Sequence, residues 1–134
     1  MFKNTRITNS FLRETNPLSK YEQNVLLPVL IKGLKQKKGR VNAVTNKQIV
    51  EALRGSGLKA SERDVCRVIN YIRTNDLIMG LMATSSGYYI TNCEKEFINY
   101  ELRLWSREFE IKKVRESIER QRKMLFIPKY KQIF

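Results

Sequence analysis

Histidine is absent from this chain, and its absence removes more chemistry than any motif adds. Without an imidazole there is no Ser-His-Asp or Cys-His nucleophile system and no histidine-containing metal site. Cysteine is nearly absent as well. Cys66 and Cys93 lie 27 residues apart and outside any CxxC pair, so they close no zinc finger. Both are expected to be reduced thiols serving as small packing residues, Cys66 beside the buried face of a helix and Cys93 at the start of the next. Acid is scarce, with 13 Asp and Glu against 26 Lys and Arg, a net charge of +13. No run approaches the roughly 20 apolar residues that cross a bilayer. The first residues are polar, without the apolar stretch of a signal peptide, so a cytoplasmic protein without a membrane partner is expected. No Walker loop is present. Gly55-x-Gly57-x-x-Ala60 resembles a dinucleotide loop only superficially, because it follows a helix and not a strand. The carboxylates fall on helix faces among lysines and arginines, as solvated surface charge. Neither an enzyme nor a cofactor or metal site is expected.

What is present suits one compact domain with an appendage: 134 residues, 42% of them hydrophobic. The excess of positive charge attracts phosphate. Residues 1–18 carry no sustained period and read as an N-terminal arm, with Phe11 and Leu12 as candidate pins to the body. Ser19 and Glu22 then form a capping box. Val25, Leu26, Val29, Leu30 and Leu34 follow at helical spacing, and Pro28 inside that helix removes one backbone hydrogen bond and should bend the axis. Val41-Asn42-Ala43-Val44 is short enough to be a strand that pairs with a later hairpin. Thr45 with Gln48 and Ser61 with Asp64 cap two further helices, separated by the Gly55-Ser56-Gly57 turn. Leu77 to Met82 then reads as a strand, Ser85-Ser86-Gly87 as its turn, and Tyr88 to Thr91 as the returning strand. Thr91 with Glu94 caps the last helix.

The order of helix, turn, helix and hairpin predicts a mainly α (α+β) chain: a winged helix-turn-helix domain over residues 19–92 with a short β-hairpin wing. From Asn92 to about Leu125 nothing breaks the final helix, giving a long C-terminal helix over residues 93–125 and an apolar tail over 126–134. Phe97, Leu104, Ile111, Ile118 and Leu125 recur at strict seven-residue intervals, an oligomerisation seam that predicts a homodimer. Ile98, Leu102, Trp105 and Phe109 add a second stripe in the first half, expected to be buried against the domain. The tail could fold back over the seam or meet a protein partner.

On the third helix the core stripe is Val65, Ile69 and Ile72. The face opposite it carries Arg63, Arg67, Asn70 and Thr74, with Tyr71 at its edge. Arginine to guanine and asparagine to adenine are the pairings that a helix in the major groove uses. Lys35, Lys37, Lys38 and Arg40 form a basic cluster suited to phosphates, and the hydroxyls of Ser85 and Ser86 stand at the wing tip. Double-stranded DNA is therefore the expected partner. Glu62 and Asp64 oppose it unless they serve the cap, and the wing tip holds no Lys or Arg. The alternative is a protein-interaction module in which the helices dock on a partner without DNA.

From Val65 to Arg73, continued by Leu77-Ile78 and Gly87-Tyr88-Tyr89-Ile90, the chain resembles the small winged-helix proteins encoded by bacteriophages and prophages. In those an I-N-Y-I/L-R helix leads to an L-I strand, a G-Y-Y/W strand end and a long helix with a spaced Tyr and Arg, here Tyr100 and Arg107. The similarity spans about Thr45 to Arg107. It implies DNA binding in a phage or mobile-element setting, in transcriptional control or as a replication accessory.

Overall fold

A computed structural model describes residues 18–128. They are mainly helical, with one two-stranded antiparallel hairpin and a long C-terminal helix. The arm with Phe11 and Leu12, up to residue 17, and the tail from Lys129 lie outside the described residues. The chain divides into two compact units between Asn92 and Cys93.

The first unit opens on the Ser19 capping box: the Ser19 N–H donates to Glu22 Oε1 at 2.9 Å and the Glu22 N–H to Ser19 Oγ at 3.1 Å. Pro28 has no N–H to return to the turn before it, and the helix answers one turn earlier. Residues Glu22–Leu26 form a π-helical turn, with the Leu27 N–H reaching back five residues to Glu22 O, and a regular helix α1 follows over Leu27–Leu34. The defect expected at Pro28 thus takes the form of a widened turn. Leu26, Leu30 and Leu34 are buried; Val29, an apolar position at the same helical spacing, is exposed.

The strand expected over Val41–Val44 does not form. Gly39 adopts φ +83 and starts a 3-10 turn over Arg40–Asn42. The Asn42 side chain closes that turn on Lys38 O at 2.8 Å, and Val41 points into solvent at 98% exposure. Only single bridges survive on either side, Lys38 with Ile90 and Val44 with Tyr88.

Helix α2, Asn46–Gly55, and helix α3, Glu62–Thr74, each start at a complete capping box, Thr45 with Gln48 and Ser61 with Asp64. Between them Gly57 at φ +83 lets the Leu58 N–H close back on Leu53 O at 2.9 Å. Ile49, Val50 and Leu53 of α2 meet Val65, Val68, Ile69 and Ile72 of α3 in the same core as Leu26 and Leu30. The strand expected from Leu77 begins four residues later. Asp76 at φ 55 and Gly80 at φ 77 turn the chain twice before it can extend. Strand β1, Leu81–Thr84, then pairs with β2, Gly87–Ile90, from Leu81↔Ile90 to Thr84↔Gly87, so the turn is Ser85-Ser86 alone. Gly87 belongs to the strand because Val44 crosses it: a Cβ there would lie 2.5 Å from Val44 O, and its φ is +113.

The second unit is helix α4, Glu94–Leu125. Its N-cap is Cys93 and carries no side-chain cap bond. Thr91 does not serve: it is buried, and its N–H donates to Gly80 O at 3.0 Å. None of the residues of α4 is buried. Along α4 the seam from Phe97 to Leu125 and the second stripe of Ile98, Leu102, Trp105 and Phe109 are all exposed. The two stripes follow different faces, and the second closes on itself, with the Trp105 and Phe109 rings stacked at 5.7 Å. Among the described residues no helix is long and apolar enough to cross a membrane.

Candidate nucleic-acid interface

At about 100° per residue, α3 turns Val65, Val68, Ile69 and Ile72 to the core and Arg63, Arg67, Asn70 and Thr74 to the opposite side. Arg63, Asn70 and Thr74 are exposed and Arg67 is half-buried. The Thr74 hydroxyl donates to the Asn70 backbone carbonyl at 2.9 Å. Tyr71, placed at the edge of this face, packs against the core, and its carbonyl accepts from the Asn75 amide at 2.9 Å. Of the two acids at the start of α3, Asp64 is occupied by the cap at 3.0 Å while Glu62 is exposed.

Arg67 reaches across to the first helix. Its Nη2 lies 3.6 Å from Glu22 Oε1, and the Glu22 side chain is only 7% exposed. The same oxygen holds the Ser19 N–H, while Oε2 is buried with no hydrogen-bond partner. Glu22 therefore does two things, and the sequence showed only the cap. No local pattern connects positions 22 and 67; only the packing of the first helix on α3 does.

The other flank of α3 meets the N-terminus of α2 and the hairpin. The Asn46 amide donates to Cys66 Sγ at 3.1 Å. Cys66 and Cys93 are both exposed, which corrects the packing role expected of them. Tyr88 stands beside Asn46 and Cys66. Its burial, reinforced by the Cys66 thiol, pushes the phenol above its usual 10.0, with the Arg73 charge working the other way. Arg73 was not among the expected site residues, although it lies on the same side of α3 as Cys66.

The basic cluster is anchored at the opposite end of the hairpin from its tip. Lys37 O accepts from the Ile90 N–H at 2.7 Å, Lys38 bridges Ile90, and Lys35 is exposed at the end of α1. Arg40 lies over the buried Tyr89 ring at 5.7 Å and donates to its hydroxyl at 3.3 Å. Ser85 and Ser86 are exposed at the tip, where the Ser86 N–H is satisfied by Thr84 Oγ1 at 3.2 Å. The tip thus offers hydroxyls and no cation. No cluster of three or more potential metal ligands occurs among the described residues. No protein-family model, curated protein or solved structure matches the chain.

Proposed function

We propose that this is a non-enzymatic DNA-binding protein of the winged helix-turn-helix type. It is akin to the small winged-helix proteins of phages and prophages and acts in transcriptional control or as a replication accessory. The observation that carries the proposal is the outward face of α3. There Arg63, Arg67 and Asn70 stand opposite the core on the second helix of a helix-turn-helix pair that a hairpin follows. α3 enters the major groove with this face; Lys35, Lys37 and Lys38 contact phosphates, and Ser85 and Ser86 touch the backbone from the hairpin tip. Glu22 holds Arg67 in a fixed direction until a guanine edge replaces it.

The test is anisotropy of a labelled duplex titrated with the full chain. With about six phosphates neutralised, affinity should fall roughly a thousandfold between about 50 and 200 mM salt. Arg63→Ala with Asn70→Ala should weaken binding by about 1–3 kcal/mol and flatten any sequence preference. No binding at low salt, or binding indifferent to both substitutions, sinks the proposal. That outcome would favour the second reading, a protein-interaction module, which the exposed apolar faces of α4 support.

A further inference from the structure

We propose that α4 pairs with α4 of a second copy of this chain as an antiparallel two-stranded coiled coil, in a single register selected by its own charges. The inference is independent of DNA binding. With Phe97, Leu104, Ile111, Ile118 and Leu125 as the first core position of each heptad, the second is filled by Tyr100, Arg107, Val114 and Gln121. The aliphatic members of both sets are exposed along the whole helix. The residues flanking the second core position are Glu101, Glu108, Arg115 and Arg122, so their sign reverses halfway along the helix. All four are exposed, and none is in an ion pair of the described chain.

Charges that reverse about a midpoint are complementary to the same sequence running the other way. In the antiparallel pair Glu101 faces the partner's Arg122 and Glu108 the partner's Arg115. By symmetry this makes four attractive contacts and no like-charge contact. The same register packs each polar core residue on an aliphatic one: Arg107 on the partner's Ile118, Gln121 on the partner's Leu104, and Tyr100 on the partner's Leu125. Ile111 meets the partner's Val114 on both sides of the dyad. Sliding by one heptad sets Glu108 against the partner's Glu108, or Arg115 against the partner's Arg115. A parallel pair is worse, because Arg107 would face the partner's Arg107 in the core and Glu96 the partner's Glu101 at the flank. The pair therefore places its two Cys93 residues roughly 58 Å apart, at opposite ends of the rod, at about 1.5 Å per residue.

Sedimentation equilibrium of the full chain tests this. At about 50 µM the wild type should run at twice 15.8 kDa. E101R/E108R and R115E/R122E should each raise the dissociation constant at least about tenfold. The second pair lowers the net charge, so tighter association in that variant would show that overall repulsion governs the dimer and would overturn the register. The variant carrying all four exchanges keeps the net charge and should recover the wild-type constant. In a parallel pair those exchanges set Arg103 against the arginine introduced at position 108, and recovery fails. A 15.8 kDa wild type, or a fourfold variant that stays dissociated, overturns the proposal.

Discussion

Gly87→Ala isolates the contact that seats the hairpin on the helices. The added Cβ would sit 2.5 Å from Val44 O, 2.6 Å from Val44 C and 3.0 Å from Thr45 N, all backbone atoms directly before the cap of α2. None can swing aside as a side chain would, so the bridge between Val44 and Tyr88 must open. That bridge holds two hydrogen bonds, Val44 N–H to Tyr88 O at 3.0 Å and Tyr88 N–H to Val44 O at 2.8 Å. Each contributes about 0.5–1.5 kcal/mol net. Alanine at φ +113 adds about 1–3 kcal/mol of backbone strain. The total is roughly 2–6 kcal/mol, and at about 4–8 °C per kcal/mol for a unit of this size the melting temperature should fall by at least about 8 °C. Near-UV circular dichroism in a Trp105→Phe background follows the first unit through its buried Tyr89 and half-buried Tyr88, with the strongest aromatic signal of α4 removed. Gly33→Ala is the control of opposite sign. Nothing lies within 4 Å of its Cβ position inside α1, so it should stabilise by about 0.5–1 kcal/mol. A Gly87→Ala protein that melts within about 3 °C of the parent would refute the close-approach argument.

Three further outcomes follow from the same contacts. Arg67→Ala should cost about 1 kcal/mol of stability, because it leaves the Glu22 carboxylate buried with its second oxygen already unpartnered; urea melts check this, and a neutral effect would show that the pair adds nothing. Arg63→Ala with Asn70→Ala should leave the unfolding free energy from urea melts within about 0.5 kcal/mol of the parent, since both side chains are exposed, which makes any loss of DNA binding in that variant a loss of contact and not of fold. Burial raises the Tyr88 phenol in the folded state, so its share of stability is complete below about pH 10 and is lost as the pH rises through the raised value. The stability difference between wild type and Tyr88→Phe should accordingly be flat below that pH and shift against the wild type above it, and a constant difference would contradict the assignment.

The features that could be read directly share a short range. The caps at Ser19, Thr45 and Ser61 close within three residues, and the stripe of α3 repeats within two turns, so the hydrogen bonds and periodicity that define them lie inside one stretch of chain. The same short range explains why the order of helices and hairpin and the length of α4 were legible. Thr91 shows where that logic stops. Its sequence matches a cap as well as Thr45 does, but its N–H is taken by Gly80 O in the neck of the hairpin, and the helix starts later. Val41–Val44 and Leu77–Gly80 have strand composition and form turns, because Gly39, Asp76 and Gly80 take positive φ values, Asp76 at the end of α3 where the Leu77 N–H closes back on Ile72 O at 3.1 Å.

For the candidate interface, the sequence determined which residues α3 turns away from its core, since that follows from helical angle alone. Tertiary structure decided what those residues touch. Arg67 meets Glu22, 45 positions away, Arg40 meets Tyr89, 49 positions away, and Cys66 meets Asn46, 20 positions away. Such partners are chosen when separate elements dock, and docking is governed by the fit of Leu26, Leu30, Val65 and Ile69 in a common core, which the residues at the periphery do not encode.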